Sequence, residues 1–149
     1  MARLLPALAL ALVAVAIAAV LRRRQATPAP TQGGWKAPLQ LDRHDFRRPE
    51  APYLVALFSS ASCQTCAAMA EKVAVQASAS VAVDVVEVTA QRALHTKYRV
   101  EAVPIVVVAD AAGVARASFI GPTSATDLWA AVAEVRAPGS SPEPELGQR

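Results

Sequence analysis

The chain contains two cysteines in 149 residues, Cys63 and Cys66, and only two residues separate them. Side chains three positions apart on a helix are neighbours, so this spacing brings two sulfurs close enough to bond. Ser62 precedes the pair, and its hydroxyl could cap a helix, which predicts Cys63 at the first helical position and Cys66 one turn later on the same face. At a helix N-terminus the unpaired backbone amides and the positive end of the dipole favour thiolate over thiol. Cys63 is therefore expected to attack a disulfide and form a mixed disulfide, and Cys66 to resolve it. Gln64 and Thr65 between the cysteines, with Ser62 before them, are expected to modulate thiol acidity.

Other uses of two close cysteines must be weighed. A structural zinc site takes about four ligands, and beyond the pair only His44 and His95 are available as histidine or cysteine ligands. With no second cysteine pair, no metal is expected, and an inert buried pair is the other alternative. Both histidines are expected to face solvent, His44 in the charged stretch LDRHDFRR and His95 in a polar helix.

The 15 Lys and Arg against 12 Asp and Glu suggest a basic protein, but four of the arginines are Arg3, Arg22, Arg23 and Arg24. The rest of the chain carries 11 basic and 12 acidic side chains. A basic stripe able to neutralise phosphates is absent outside the cluster near the N-terminus, so no nucleic-acid partner is expected. Aromatic residues make up 5% of the chain, which leaves one small core built mainly from aliphatic side chains.

Leu4 to Leu21 are 18 consecutive uncharged residues, about the minimum for crossing a bilayer core as a helix. A cleaved signal peptide would place its charge before the apolar run and small residues after it, whereas Arg22, Arg23 and Arg24 follow here. The expectation is a single-pass anchor at the cell membrane, in contact with lipid through Leu4 to Leu21. The arginine excess on its C-terminal flank places the domain on the cytoplasmic side, with the extracytoplasmic face as the alternative. Residues 22–38 read as a Pro- and Gly-containing linker, residues 39–136 as one domain, and residues 137–149 as a disordered tail.

Positioning the cysteines falls to the elements around them. Leu39 to Leu41 suggests a short strand, and Tyr53 to Phe58 a central strand buried on both faces. Cys66, Met69, Ala70, Val73 and Ala77 recur at helical spacing. Val81 to Val88 reads as a strand, Gln91 to Tyr98 as a short helix and Ile105 to Ala109 as another apolar strand. Asp110 to Gly113 forms a turn into a partner strand, Val114 to Ile120. Ser124 with Asp127 resembles a capping box for a last helix bearing Leu128, Ala131, Val132 and Val135. The order is βαβαββα.

These residues resemble the thioredoxin superfamily over roughly Leu39 to Arg136. The resemblance rests on the strand before the pair, Ser62-Cys63-Gln64-Thr65-Cys66 at a helix start, Val103-Pro104-Ile105 opening a strand, the Asp110 to Gly113 turn, and Gly121 before the last helix. It implies an α/β thioredoxin-like fold, a central mixed β-sheet flanked by helices, here preceded by one N-terminal transmembrane helix. It also implies a cis bond at Val103-Pro104 beside the cysteines, with Val103 and Pro104 as the substrate-docking edge. An ordinary trans proline at a strand start is the alternative, because only about 5–6% of such bonds in folded proteins are cis.

The chain departs from the family pattern in three places. Ser62 stands where the family commonly has Trp, Gln64-Thr65 replace Gly-Pro, and Leu57 occupies the position of a buried aspartate that assists proton transfer. Glu87 or a water is the substitute base open to it. The functional expectation is a membrane-tethered thiol–disulfide oxidoreductase needing no cofactor, with protein disulfides or dithiols as substrates and another thiol as electron donor or acceptor. The competing reading is a binding or scaffold module with weak redox use.

Overall fold

Strand β1 (Tyr53–Ser59) is buried from its second residue to its last, as its unbroken apolar sequence requires. Its neighbours are β2 (Val81–Glu87) on one side and β3 (Ile105–Ala109) on the other, with β4 (Ala115–Ile120) beyond β3. The β1–β2 pair is parallel, in register from Tyr53 opposite Val81 to Ser59 opposite Glu87. The β1–β3 and β3–β4 pairs are antiparallel. A parallel pair needs a crossover, supplied here by helix α1 (Gln64–Ala74). Helix α2 (Arg92–Lys97) links β2 to β3, and α3 (Ala125–Arg136) closes the fold. The computed structural model describes residues 35–139. The expected anchor Leu4 to Leu21 lies outside the described residues, and among these no helix is long and apolar enough to cross a membrane.

Alternation along the strands sends side chains to two cores. Leu54, Ala56, Phe58, Ile105 and Val107 pack on one face with Leu41, Phe46, Leu94 and Tyr98. Val55, Leu57, Val106 and Val108 pack on the other with Met69 and Val73 of α1 and Leu128 and Val132 of α3. Both α1 and α3 therefore cover the same sheet face. Ser124 caps α3 as expected, its hydroxyl oxygen accepting the Asp127 N–H at 3.0 Å. Helix α1 ends earlier than its apolar spacing suggests, so Ala77 is exposed and outside it.

Two expectations need correction. Leu39 to Leu41 makes no strand: Gln40 forms one isolated bridge to Val114, with Leu41 N–H donating to the Gly113 carbonyl at 2.8 Å. Leu41 alone of the two leucines is buried, Leu39 remaining 81% exposed, so the segment anchors through one side chain and does not extend the sheet. His95 is buried, not solvent-facing. Its Nε2 lies 2.9 Å from the Val86 carbonyl, which can only accept, so Nε2 carries the proton. The ring meets Phe58 edge-on at 5.4 Å. An imidazole whose N–H finds a carbonyl can pack on a core, which the polar neighbours in sequence conceal.

A short 3₁₀ turn, Arg43–Asp45, is fastened to α2 by polar contacts. The Tyr98 hydroxyl donates to the Asp45 carboxylate and accepts the Asp42 N–H, while Lys97 Nζ sits 2.7 Å from Asp45. Burial, followed by the bond to Asp45, pushes the Tyr98 phenol up to about 12 from 10.0. A raised folded pKa confers stability that is complete below the unfolded value and is lost as pH rises through the folded one. Unfolding monitored by urea should therefore show stability declining from about pH 10 towards pH 12. Tyr98→Phe should flatten that decline; an unchanged slope in the variant would count against the assignment.

Candidate active site

The path into the cysteine pair begins where β1 ends. After Ser59 the chain makes a turn in which the Cys63 N–H donates to the Ser60 carbonyl at 3.1 Å, and the Ser60 and Ser62 hydroxyls lie 3.0 Å apart. Ser62 is thus occupied within the turn and does not cap the helix. Cys63 is itself the N-cap of α1, in extended backbone conformation, and its Sγ accepts the Cys66 N–H at 3.2 Å. The expected first helical position is taken by Gln64, which is exposed. The shift of one residue strengthens the electrostatic case, because the sulfur now receives directly one of the amides a helix start leaves unpaired.

Cys63 and Cys66 form a disulfide, with Cα atoms 5.2 Å apart. Their surroundings differ. Cys66 is 2% exposed, whereas Cys63 is partly open to solvent. An incoming sulfur can reach the first and must displace the second from inside. Thr65 makes a more specific contact than its place between the cysteines revealed, with Oγ1 3.3 Å from Cys63 Sγ. Against a thiolate the hydroxyl can only donate.

Pro104 immediately precedes β3, and the Val103–Pro104 peptide is cis. Ile105 pairs with Phe58 near the C-terminal end of β1, the end from which the cysteine turn departs. Topology thus brings the cysteine turn and Val103-Pro104 to the same end of the two central strands. Pro104 is buried and Val103 partly exposed, and the Pro104 carbonyl accepts the Gly121 N–H at 2.8 Å. The same end of the sheet carries Gly121, whose φ of +87° is a conformation glycine adopts without penalty.

Leu57 is fully buried against Met69 and Val73, so no carboxylate is present at that position. Glu87 does not serve as a free base in its place. One carboxylate oxygen accepts the Ala61 N–H at 3.1 Å, and the other accepts those of Thr89 and Ala90 at 2.8 Å each. The amide bonds from Ala90 and then Ala61 hold its carboxyl below the usual carboxylate range. Among the described residues no group of three or more His, Cys, Asp or Glu side chains is placed to hold a metal ion.

No family model matches the chain, and no curated protein sequence does. Solved structures do. A structure from work on the thiol-resolving mechanism of yeast mitochondrial 1-Cys peroxiredoxin is 20% identical and covers 62% of this chain and 85% of that one, with a TM-score of 0.50. Mitochondrial thioredoxin 3 of Saccharomyces cerevisiae, in oxidised form, is 22% identical over 58% of this chain and 81% of that one, with a TM-score of 0.49. A single-site mutant of thioredoxin from Halobacterium salinarum is 22% identical over 54% and 71%, with a TM-score of 0.48. With the strand order and the cysteine turn described above, the first of these likenesses defines the class: the fold is thioredoxin-like.

Proposed function

We propose that the chain is a thiol–disulfide oxidoreductase acting on protein disulfides or dithiols. One observation carries the reading: a solvent-accessible sulfur at a helix N-cap, bonded to a buried partner one turn on, at the end of the central strands that also holds Val103-Pro104. In the reduced protein the Cys63 thiolate attacks a substrate disulfide, forming a mixed disulfide and expelling one substrate thiolate. Cys66, once deprotonated, attacks Cys63 Sγ, which forms the intramolecular disulfide and releases the second substrate thiol. Two electrons pass to the substrate, and an external dithiol must return them; with an oxidising partner the same steps run in reverse. Val103 and Pro104 form the docking edge, and Ser62, Gln64 and Thr65 set the acidity of the attacking sulfur.

The sequence of Leu4 to Leu21, followed by Arg22, Arg23 and Arg24, supports a tether at the cell membrane with the domain facing the cytoplasm. Treatment of intact cells with a membrane-impermeant reductant, which opens the disulfide only if it is exposed outside, followed by a membrane-impermeant thiol reagent, tests the orientation. Protection is expected, and labelling would place the domain on the outer face.

Reduction of insulin disulfides with dithiothreitol as electron source tests the activity. Turnover well above that of dithiothreitol alone is expected, and its absence would contradict the reading. Thr65 offers a finer check. A hydrogen bond to a charged acceptor contributes about 1.5–3 kcal/mol, and exposure brings this towards the lower end. Thr65→Val should therefore raise the Cys63 pKa by about one unit, and Thr65→Ser should leave it near the parent value. Equal acidity in all three proteins would remove Thr65 from the mechanism.

A further inference from the structure

Apart from the bonds that tie Cys63 itself to Cys66 of α1, the turn that delivers Cys63 is held to the rest of the fold by little. Within it, Cys63 N–H bonds to Ser60 O, and Ser62 N–H and Oγ approach Ser60 Oγ, all of them contacts internal to residues 60–63. Among the described residues, the hydrogen bond that leaves Ser60, Ala61 and Ser62 for another element is the one from Ala61 N–H to Glu87. Glu87 is the last residue of β2 and lies opposite Ser59, the last residue of β1, so its side chain sits where β1 turns away. It is itself fixed: the second carboxylate oxygen is held by Thr89 and Ala90, and its own carbonyl accepts the Gln91 N–H at 2.8 Å.

Three amide donors converge on one carboxylate. No base emerges from that arrangement, because every bond present stabilises the ionised form and leaves it little tendency to take a proton. What remains is mechanical. A charged acceptor bridges the β2–α2 connection to the turn two residues before the nucleophile, and hydrogen bonds to charged groups are about twice as strong as neutral ones.

We propose that Glu87 is a positioning residue for Cys63, fixing the Ser60–Cys63 turn so that the sulfur stays at the N-cap of α1. The proposal rests on the oxidoreductase reading above and adds to it a residue outside the cysteine motif. Its effect opposes that of simple electrostatics. A carboxylate near a thiolate repels it, so removing only the charge would make Cys63 more acidic and its attack faster near neutral pH. Loosening the turn instead takes the sulfur away from the helix-start amide, which makes Cys63 less acidic and misaligns its attack.

Glu87→Gln tests this. The amide retains one oxygen for Thr89 and Ala90 and turns its NH₂ group, a donor, towards the Ala61 N–H. Three readouts on the full reduced chain, in a Cys66→Ser background that isolates one sulfur, are compared with the same background carrying Glu87: amide hydrogen exchange at Ala61 and Cys63, the Cys63 pKa from thiolate absorbance, and the observed rate of attack on glutathione disulfide at pH 7. Loss of protection at the two amides is expected while strands β1 and β3 stay protected, with a raised pKa and a lower observed rate at pH 7, because the smaller thiolate fraction outweighs the greater nucleophilicity of each thiolate. Preserved protection, a lowered pKa or an unchanged observed rate would each overturn the proposal. If the core strands lose protection too, Glu87→Asp supplies the second variant. Asp keeps the charge but is one methylene too short to span both contacts, so it should lower the rate as Gln does; a parental rate would refute positioning. A parent protein that does not attack glutathione disulfide would instead refute the oxidoreductase reading.

Discussion

Cys63→Ser should reduce disulfide exchange to the uncatalysed background, while Cys66→Ser should keep the first attack and lose the second. A serine hydroxyl at the N-cap preserves the helix start, since serine is among the preferred capping residues, but it is not ionised near neutral pH and does not attack disulfides. Loss of activity in that variant is therefore loss of the nucleophile, not of the fold. In Cys66→Ser the exposed sulfur still forms a mixed disulfide, and the group that would displace it from the buried side is gone. The intermediate should accumulate and be visible by intact-protein mass spectrometry as an adduct of one substrate chain, released by dithiothreitol. Full turnover in Cys63→Ser, or trapping by Cys63 absent in Cys66→Ser, would overturn the roles. A binding module gives a different pattern: partner capture would survive loss of both cysteines.

Gly113→Ala should destabilise the domain by about 3–5 kcal/mol, among the larger effects open to a single added methyl group. Gly113 has a φ of +78°, and a Cβ built there would lie 1.9 Å from the backbone oxygen of Leu41. A backbone atom cannot rotate aside as a side chain can, so the Leu41–Gly113 hydrogen bond must give way, and with it the seat of a fully buried leucine. The turn is otherwise well made, Asp110 Oδ1 accepting the N–H groups of Ala112 and Val114 at 3.0 Å. Gly121 provides the comparison. Its φ is +87°, but nothing lies within 4 Å of an added Cβ, so Gly121→Ala should cost only the backbone strain of about 1–2 kcal/mol. Urea denaturation of the two variants measures the difference; equal losses would show that the contact with Leu41 is unimportant.

What could be read from sequence follows from the range of the interactions involved. Strands β1 and β3 were legible because their unbroken apolar runs have one common solution, a strand covered on both faces. The turn into β4 and the cap of α3 were legible because Asp110, Gly113, Ser124 and Asp127 act within a few residues of themselves. Assigning the cap of α1 to Ser62 was off by one residue, because both Ser62 and Cys63 offer an acceptor. The Ser60–Cys63 turn decides between them by engaging Ser62 and leaving Cys63 extended. The burial of His95 gave no local signal, because it depends on the Val86 carbonyl and the Phe58 ring. Glu87 bonds locally to the Thr89 and Ala90 amides, but its link to the cysteine turn runs to Ala61, 26 residues away, and has no local signature.

The most direct measurement is the ionisation of Cys63 in the reduced protein, followed through thiolate absorbance with Cys66→Ser to isolate one sulfur. A free cysteine titrates near 8.5, and one at a helix N-terminus falls to roughly 3.5–7.5. A value within that lowered range is expected. A value at or above about 8.5 would contradict the claim that the helix start activates this sulfur.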